Sequence, residues 1–102
     1  MVSAVRVIVK EKTMVYEFLK MMNGDLYVCR GGLNDAGVDA KDLFMMRITP
    51  SNTTIYTAFT RADSSMFFKG ATTPVKINQA QIELRFNLGE ESDIVKQVIE
   101  TD

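Results

Sequence analysis

Alternating apolar and polar residues mark the clearest element of the chain, the segment 82–88. Every second residue is apolar: Ile82, Leu84, Phe86 and Leu88. The intervening residues are polar: Glu83, Arg85 and Asn87. A period of two predicts a strand with one apolar and one polar face. We expect the strand to end at Gly89.

The C-terminal segment has the periodicity of a helix. Its apolar residues stand at i, i+1, i+4 and i+5: Ile94, Val95, Val98 and Ile99. This spacing places them on one side of a helix, and Ser92 is a suitable N-cap. The pattern therefore predicts one C-terminal amphipathic helix.

The segment 13–30 fits two interpretations. A helix over 13–23 would align an apolar stripe, with Thr13 as N-cap and Gly24 as C-cap. A hairpin would turn at Asn23-Gly24, a sequence typical of type I′ turns between two strands. Aromatic and β-branched residues flank this turn, so we favour the hairpin. The helix, packed on the sheet, is the alternative.

The remaining segments predict more strands and one long loop. Val5, Val7 and Val9 suggest a strand over 5–10. Three glycines and three aspartates predict a loop over 31–42, in which Asp39 starts a short helical turn. A second hairpin is predicted where 43–49 and 53–60 flank a turn at Pro50-Ser51-Asn52.

These elements predict a β-rich α+β fold in one domain over 1–102. Its strands are expected to form a small antiparallel sheet, a sandwich or a partly open barrel, with the C-terminal helix packed against it. The length of 102 residues suits a single core without metal or disulfide.

The amino-acid composition excludes several kinds of catalytic and metal site. The formal net charge is −1, and the chain has one Cys and no His. One Cys excludes an intramolecular disulfide, and the lack of His excludes imidazole catalysis and most zinc sites. Cys29, beside Arg30, is the best candidate nucleophile, but a lone Cys is more often a small buried residue. We expect no enzyme activity and no cofactor.

The acidic loop is a poor metal site by sequence. Asp35, Asp39 and Asp42 lack the spacing of a calcium loop, and no Glu closes the set. Turn formation explains these residues equally well, so we expect no metal.

Membrane and export signals are not expected. Arg6 and Lys10 interrupt the apolar residues at the start of the chain, unlike a signal peptide. No window of 18 apolar residues occurs, so no membrane span is predicted. By default we expect a cytoplasmic protein.

The alternative function is that of a small regulator that binds a nucleic acid or a nucleotide through aromatic and basic residues on its sheet. Aromatic and basic residues lie close together at several points, and four basic residues are the candidates: Arg30, Arg47, Arg61 and Lys69. Stacking on aromatic rings beside a basic groove holds single strands. The charge of residues 1–89 is only +3, however, because the last thirteen residues carry −4. This small excess predicts at most weak binding.

Protein binding is the favoured function. The segment 53–60 has no charge before Arg61, whereas natural edge strands usually carry protective charges. It is therefore either a central strand or one that pairs with another subunit. The chain also has seven Met, a residue common on adaptable binding surfaces. The candidate interaction residues are Met21, Met45, Thr54, Tyr56, Ala58 and Phe67.

The predicted function is thus a non-enzymatic interaction or self-assembly module, with a protein partner or a second copy as the occupant. Near-neutral, cofactor-free chains of this size are common among virion components and accessory inhibitors of mobile elements. That class is suggested by analogy alone.

Overall fold

The computed structural model describes residues 15–50, 52 and 55–101, with the side chain of Ile55 excepted. The strand predicted over 5–10, the N-cap at Thr13 and the interaction residue Thr54 lie outside these residues.

Within the described residues, five antiparallel strands form one open sheet. They are β1 (Tyr16–Met21), β2 (Leu26–Arg30), β3 (Leu43–Pro50), β4 (Ile55–Arg61) and β5 (Ile82–Leu88). The order across the sheet is β4-β3-β2-β1-β5, so β4 and β5 are its two edges. The helix α1 (Asp93–Thr101) follows β5. The predicted α+β fold is confirmed, and of its three forms the chain adopts the single sheet.

The hairpin interpretation of 13–30 is correct, and the helix over 13–23 is wrong. β1 and β2 pair with Phe18 opposite Val28, and Gly24 in the turn has φ of +98°. Phe18 and Leu19 are both buried although adjacent, because each face of the sheet is covered. Apolar neighbours on opposite faces imitate the stripe of a helix.

The helix covers one face of the sheet, here called the helix face. Phe18, Val28 and Phe44 are buried there against Val98 of α1. Ser92 caps the helix as predicted, because its Oγ accepts a hydrogen bond from the Ile94 N–H at 3.1 Å.

Irregular segments cover the opposite face, here called the loop face. Val38 and Val75 join two of these segments through backbone hydrogen bonds of 2.9 and 2.7 Å. The short turn after Asp39 forms at Ala40–Asp42, as predicted. The core on this side consists of Leu19, Cys29, Leu33, Val38, Leu43 and Ala62.

A buried carboxylate ties the loop layer to the sheet. Glu17 is 7% exposed, and its Oε1 accepts a hydrogen bond from the Leu33 N–H at 2.9 Å. Its Oε2 lies 2.7 Å from Nε of Arg85 on the neighbouring strand β5. Within the part of the chain described, no helix is long and apolar enough to cross a membrane.

Candidate functional site

Among the described residues, residues 55–60 of the uncharged segment lie at an edge of the sheet and not at its centre. Across the described residues, β4 pairs only with β3. Its outer side therefore presents the backbone N–H and C=O groups that another strand can bind. From residue 55 to residue 60, this edge has no Lys, Arg, Asp or Glu.

The loop face beside β4 holds an open groove. The loop layer covers the Leu19 and Cys29 end of the sheet and leaves the other end exposed. The groove has a volume of about 850 Å³. Its lining includes Tyr27, Met45, Arg47, Ala58, Thr60 and Ser65.

Three of the predicted interaction residues meet at this place. Ala58 lies opposite Arg47 in the β3–β4 register, and Met45 lies opposite Thr60. Tyr56 is on the same face at the open end of β4, where it is 59% exposed. Met45 is half-buried, so its thioether lies in the floor of the groove.

The groove has one acidic and one basic side. Burial raises the pKa of the Tyr27 hydroxyl, and the nearby Asp25 carboxylate raises it further. Arg47 is exposed and forms no ion pair with any residue of 15–50, 52 or 55–101. The tyrosine therefore stays neutral at physiological pH, and Arg47 contributes the positive charge.

Met21 is buried and does not lie on the predicted interaction surface. It lies opposite Ile82, which packs in the loop-side core, and is only 8% exposed. Met22 leaves the strand at the turn and is the exposed member of the pair, at 62%.

Phe67 is exposed as the predicted surface requires. It is 85% exposed, whereas Phe68 packs against the loop-side core. The Phe67 N–H donates a hydrogen bond to Oγ of Ser65, which lines the groove. Phe67 therefore belongs to the margin of the groove.

The four basic candidates do not form one surface. Arg30 is bound to Asp42 at 2.9 Å, and Arg61 to Asp63 at 2.7 Å, both on the helix face. Arg47 is on the loop face, and Lys69 lies in the turn that follows Phe68. These four residues therefore form no continuous basic track.

Cys29 lies in the core, where it is fully buried. Burial raises the pKa of its thiol to about 12, and the negative charge of Glu17 adds to the effect. A protonated and inaccessible thiol is a poor nucleophile.

Two of the three acidic side chains of the loop have local partners. Asp42 binds Arg30, and Oδ1 of Asp35 accepts a hydrogen bond from Gln79 at 3.3 Å. Asp39 occupies the N-cap position of the short turn. No cluster of three metal-ligating side chains occurs among the described residues.

One exposed patch was not expected from the sequence. Leu84 and Phe86, predicted to be core, are 48% and 45% exposed on the helix face of β5. α1 has nine residues and is about 13 Å long, whereas five strands span roughly 19 Å. The helix contacts β4, at the opposite edge, and leaves this part of β5 open.

Comparisons of the chain with protein-family models, with curated proteins and with solved structures find no match, so the geometry of β4 and its groove carries the functional argument.

Proposed function

We propose that this chain is a non-enzymatic protein-interaction module that self-assembles through the edge of β4. One observation supports the proposal most directly: β4 is an edge strand of the described sheet with no charged residue before Arg61, and its Ala58 lines an open groove. An added strand would gain main-chain hydrogen bonds along the edge and side-chain contacts in the groove.

The other edge is less suited to this role. β5 carries Glu83 and Arg85, and each is already bound within its own chain, to Lys20 at 3.4 Å and to Glu17 at 2.7 Å. Pairing at β5 would have to accommodate these charges, whereas pairing at β4 would not.

A non-catalytic role agrees with the state of the candidate nucleophile. Cys29 is buried with a raised pKa, which also suits a reducing, cytoplasmic compartment as part of the proposal. Nucleic-acid binding has weaker support, because two of the four basic candidates are ion-paired and the others are dispersed. Virion components and accessory inhibitors remain the suggested class, by analogy of size and charge.

The test is the absolute mass in solution, measured by light scattering at two protein concentrations about a hundredfold apart. We expect a mass above the 11.5 kDa of one chain at the higher concentration. Tyr56→Lys should return the mass to the monomer value while the circular dichroism spectrum stays that of the folded chain, because it places a charge in the contact.

Leu84→Lys is the matched control at the opposite edge, since Leu84 is similarly exposed at 48% against 59% for Tyr56. It should leave the assembly intact. A monomer at both concentrations, or an oligomer that Tyr56→Lys does not affect, would contradict the proposal.

A further inference from the structure

Resting on the proposed function, we infer that the occupant of the β4 edge is β4 of a second copy. The two strands run antiparallel and are related by a twofold axis normal to the sheet. The axis lies midway between the two copies of Thr57, so that Thr57 is opposite Thr57. Below, an axis at a residue means an axis that places the two copies of that residue opposite each other. The two five-stranded sheets then become one continuous sheet of ten strands.

The absence of charge supports a second copy. A twofold axis places the same strand on both sides, so a charged residue near the axis would lie close to its own copy and be repelled by it. Residues 55–60 bring none. Arg47 lies one strand in from the edge, which separates the two copies of this residue by about 14 Å or more. At physiological ionic strength that distance exceeds the screening length of about 8 Å.

Side-chain size selects the position of the axis. In an antiparallel pair, residues directly opposite each other have their side chains on the same face of the sheet, and successive residues alternate between the faces. The axis must therefore place a residue opposite its own copy, and not opposite the copy of its neighbour in sequence. An axis at Thr57 places the large Tyr56 of each copy opposite the small Ala58 of the other copy. An axis at Ala58 would pair two alanines and leave space unfilled between the neighbouring side chains.

A polar contact marks the same position on the helix face. The Thr57 hydroxyl donates a hydrogen bond to Oε1 of Gln97 in α1, at 2.9 Å. With the axis at Thr57, the two Thr57–Gln97 pairs stand side by side. The amide N–H of each Gln97 can then donate to the Thr57 hydroxyl of the other copy, which favours this register over its neighbours.

Cysteine cross-linking tests the register. Thr57→Cys, Ala58→Cys and Leu84→Cys are made in the full chain, where the native Cys29 is buried and does not interfere. Paired residues of antiparallel strands have Cα atoms about 4.5–5.5 Å apart, within the range of a disulfide. Two copies of residue 58 would be about 8 Å apart, which is too far.

We expect Thr57→Cys to form a disulfide dimer on mild oxidation at least about tenfold faster than Ala58→Cys. Leu84→Cys, at the opposite edge, should form no disulfide dimer. Faster cross-linking of Ala58→Cys or Leu84→Cys would overturn the inference.

A second measurement leaves Thr57 and its bond to Gln97 intact. Tyr56→Cys and Ala58→Cys are mixed, and the mixture should give a mixed disulfide that neither variant gives alone. Failure of this mixed disulfide, in a protein whose oligomer Tyr56→Lys still disrupts, would overturn the register and leave the proposed function standing.

Discussion

At the scale of single residues, Glu17 shows how a charge can be buried in this small domain. Burial alone raises the pKa of a carboxyl group, but the hydrogen bonds from Arg85 and Leu33 outweigh it, and the pKa of Glu17 is lowered overall. The ionised carboxylate is therefore the native form. Its two oxygens connect the loop layer to β1 and β5, which is a structural role.

We expect Glu17→Gln to lower the free energy of unfolding at pH 7 by about 1–3 kcal/mol, because Arg85 loses its partner. The carboxylate stabilises the fold fully above its ordinary pKa of 4.5, and this contribution is lost as the pH falls through the lowered native value. The difference between wild type and variant in urea unfolding should therefore shrink below about pH 4.5.

Glu83→Gln serves as the control, because the Glu83 side chain is 51% exposed in its pair with Lys20. It should cost about 0.5 kcal/mol or less. Equal costs for the two variants would show that burial of Glu17 adds nothing.

At the scale of elements, the hairpin and the loop layer each depend on a glycine with positive φ. Gly24 has φ of +98° in the β1–β2 turn, and a Cβ there would meet nothing within 4 Å. Gly37 has φ of +99°, but a Cβ there would lie 2.5 Å from the carbonyl oxygen of Val75. The two positions share backbone strain and differ in available space.

Gly24→Ala should therefore cost about 1 kcal/mol, the cost of placing a side chain in the left-handed region. Gly37→Ala should cost more, because the Val38–Val75 hydrogen bonds must shift to relieve the clash. Denaturant unfolding of both variants measures the difference. If Gly37→Ala lowered the free energy of unfolding by no more than Gly24→Ala does, the loop layer would be able to accommodate the added Cβ without losing stability.

The elements themselves were largely predictable from local sequence. The Asn23-Gly24 turn, the alternation over 82–88 and the helical spacing after Ser92 each reflect backbone geometry that a few residues determine. The segment 13–23 also fitted a helix because both faces of the sheet are covered, which allows apolar residues at adjacent positions of a strand, as at Phe18 and Leu19. Periodicity alone does not separate these cases.

At the scale of the whole molecule, both edges of the described sheet carry exposed apolar side chains. Tyr56 is exposed at β4, and Leu84 and Phe86 are exposed at β5. The proposed assembly uses the β4 edge, which lacks charge, and leaves the β5 patch in solvent. Its association should accordingly depend on hydrogen bonds and packing more than on Coulomb attraction.

We expect the dissociation constant of the assembly to change less than about twofold between low and high sodium chloride concentrations. The proposed contact contains no ion pair that salt would screen. Mass against protein concentration at two salt concentrations measures this constant. Lys20→Ala, beside the opposite edge, should leave it unchanged, as a control for a cation outside the groove. A steep loss of affinity with salt would show that charges dominate the contact.

The sequence by itself determined the local elements of the described residues and the lack of charge along residues 55–60, because these follow from residue type and short-range spacing. Only the tertiary structure decided that β4 is an edge, that Met21 is buried and Met22 exposed, and that Arg30 and Arg61 are ion-paired. The physical reason is that strand order and burial depend on contacts between distant segments. β5 joins β1 and leaves β4 outermost, an arrangement that no local pattern encodes.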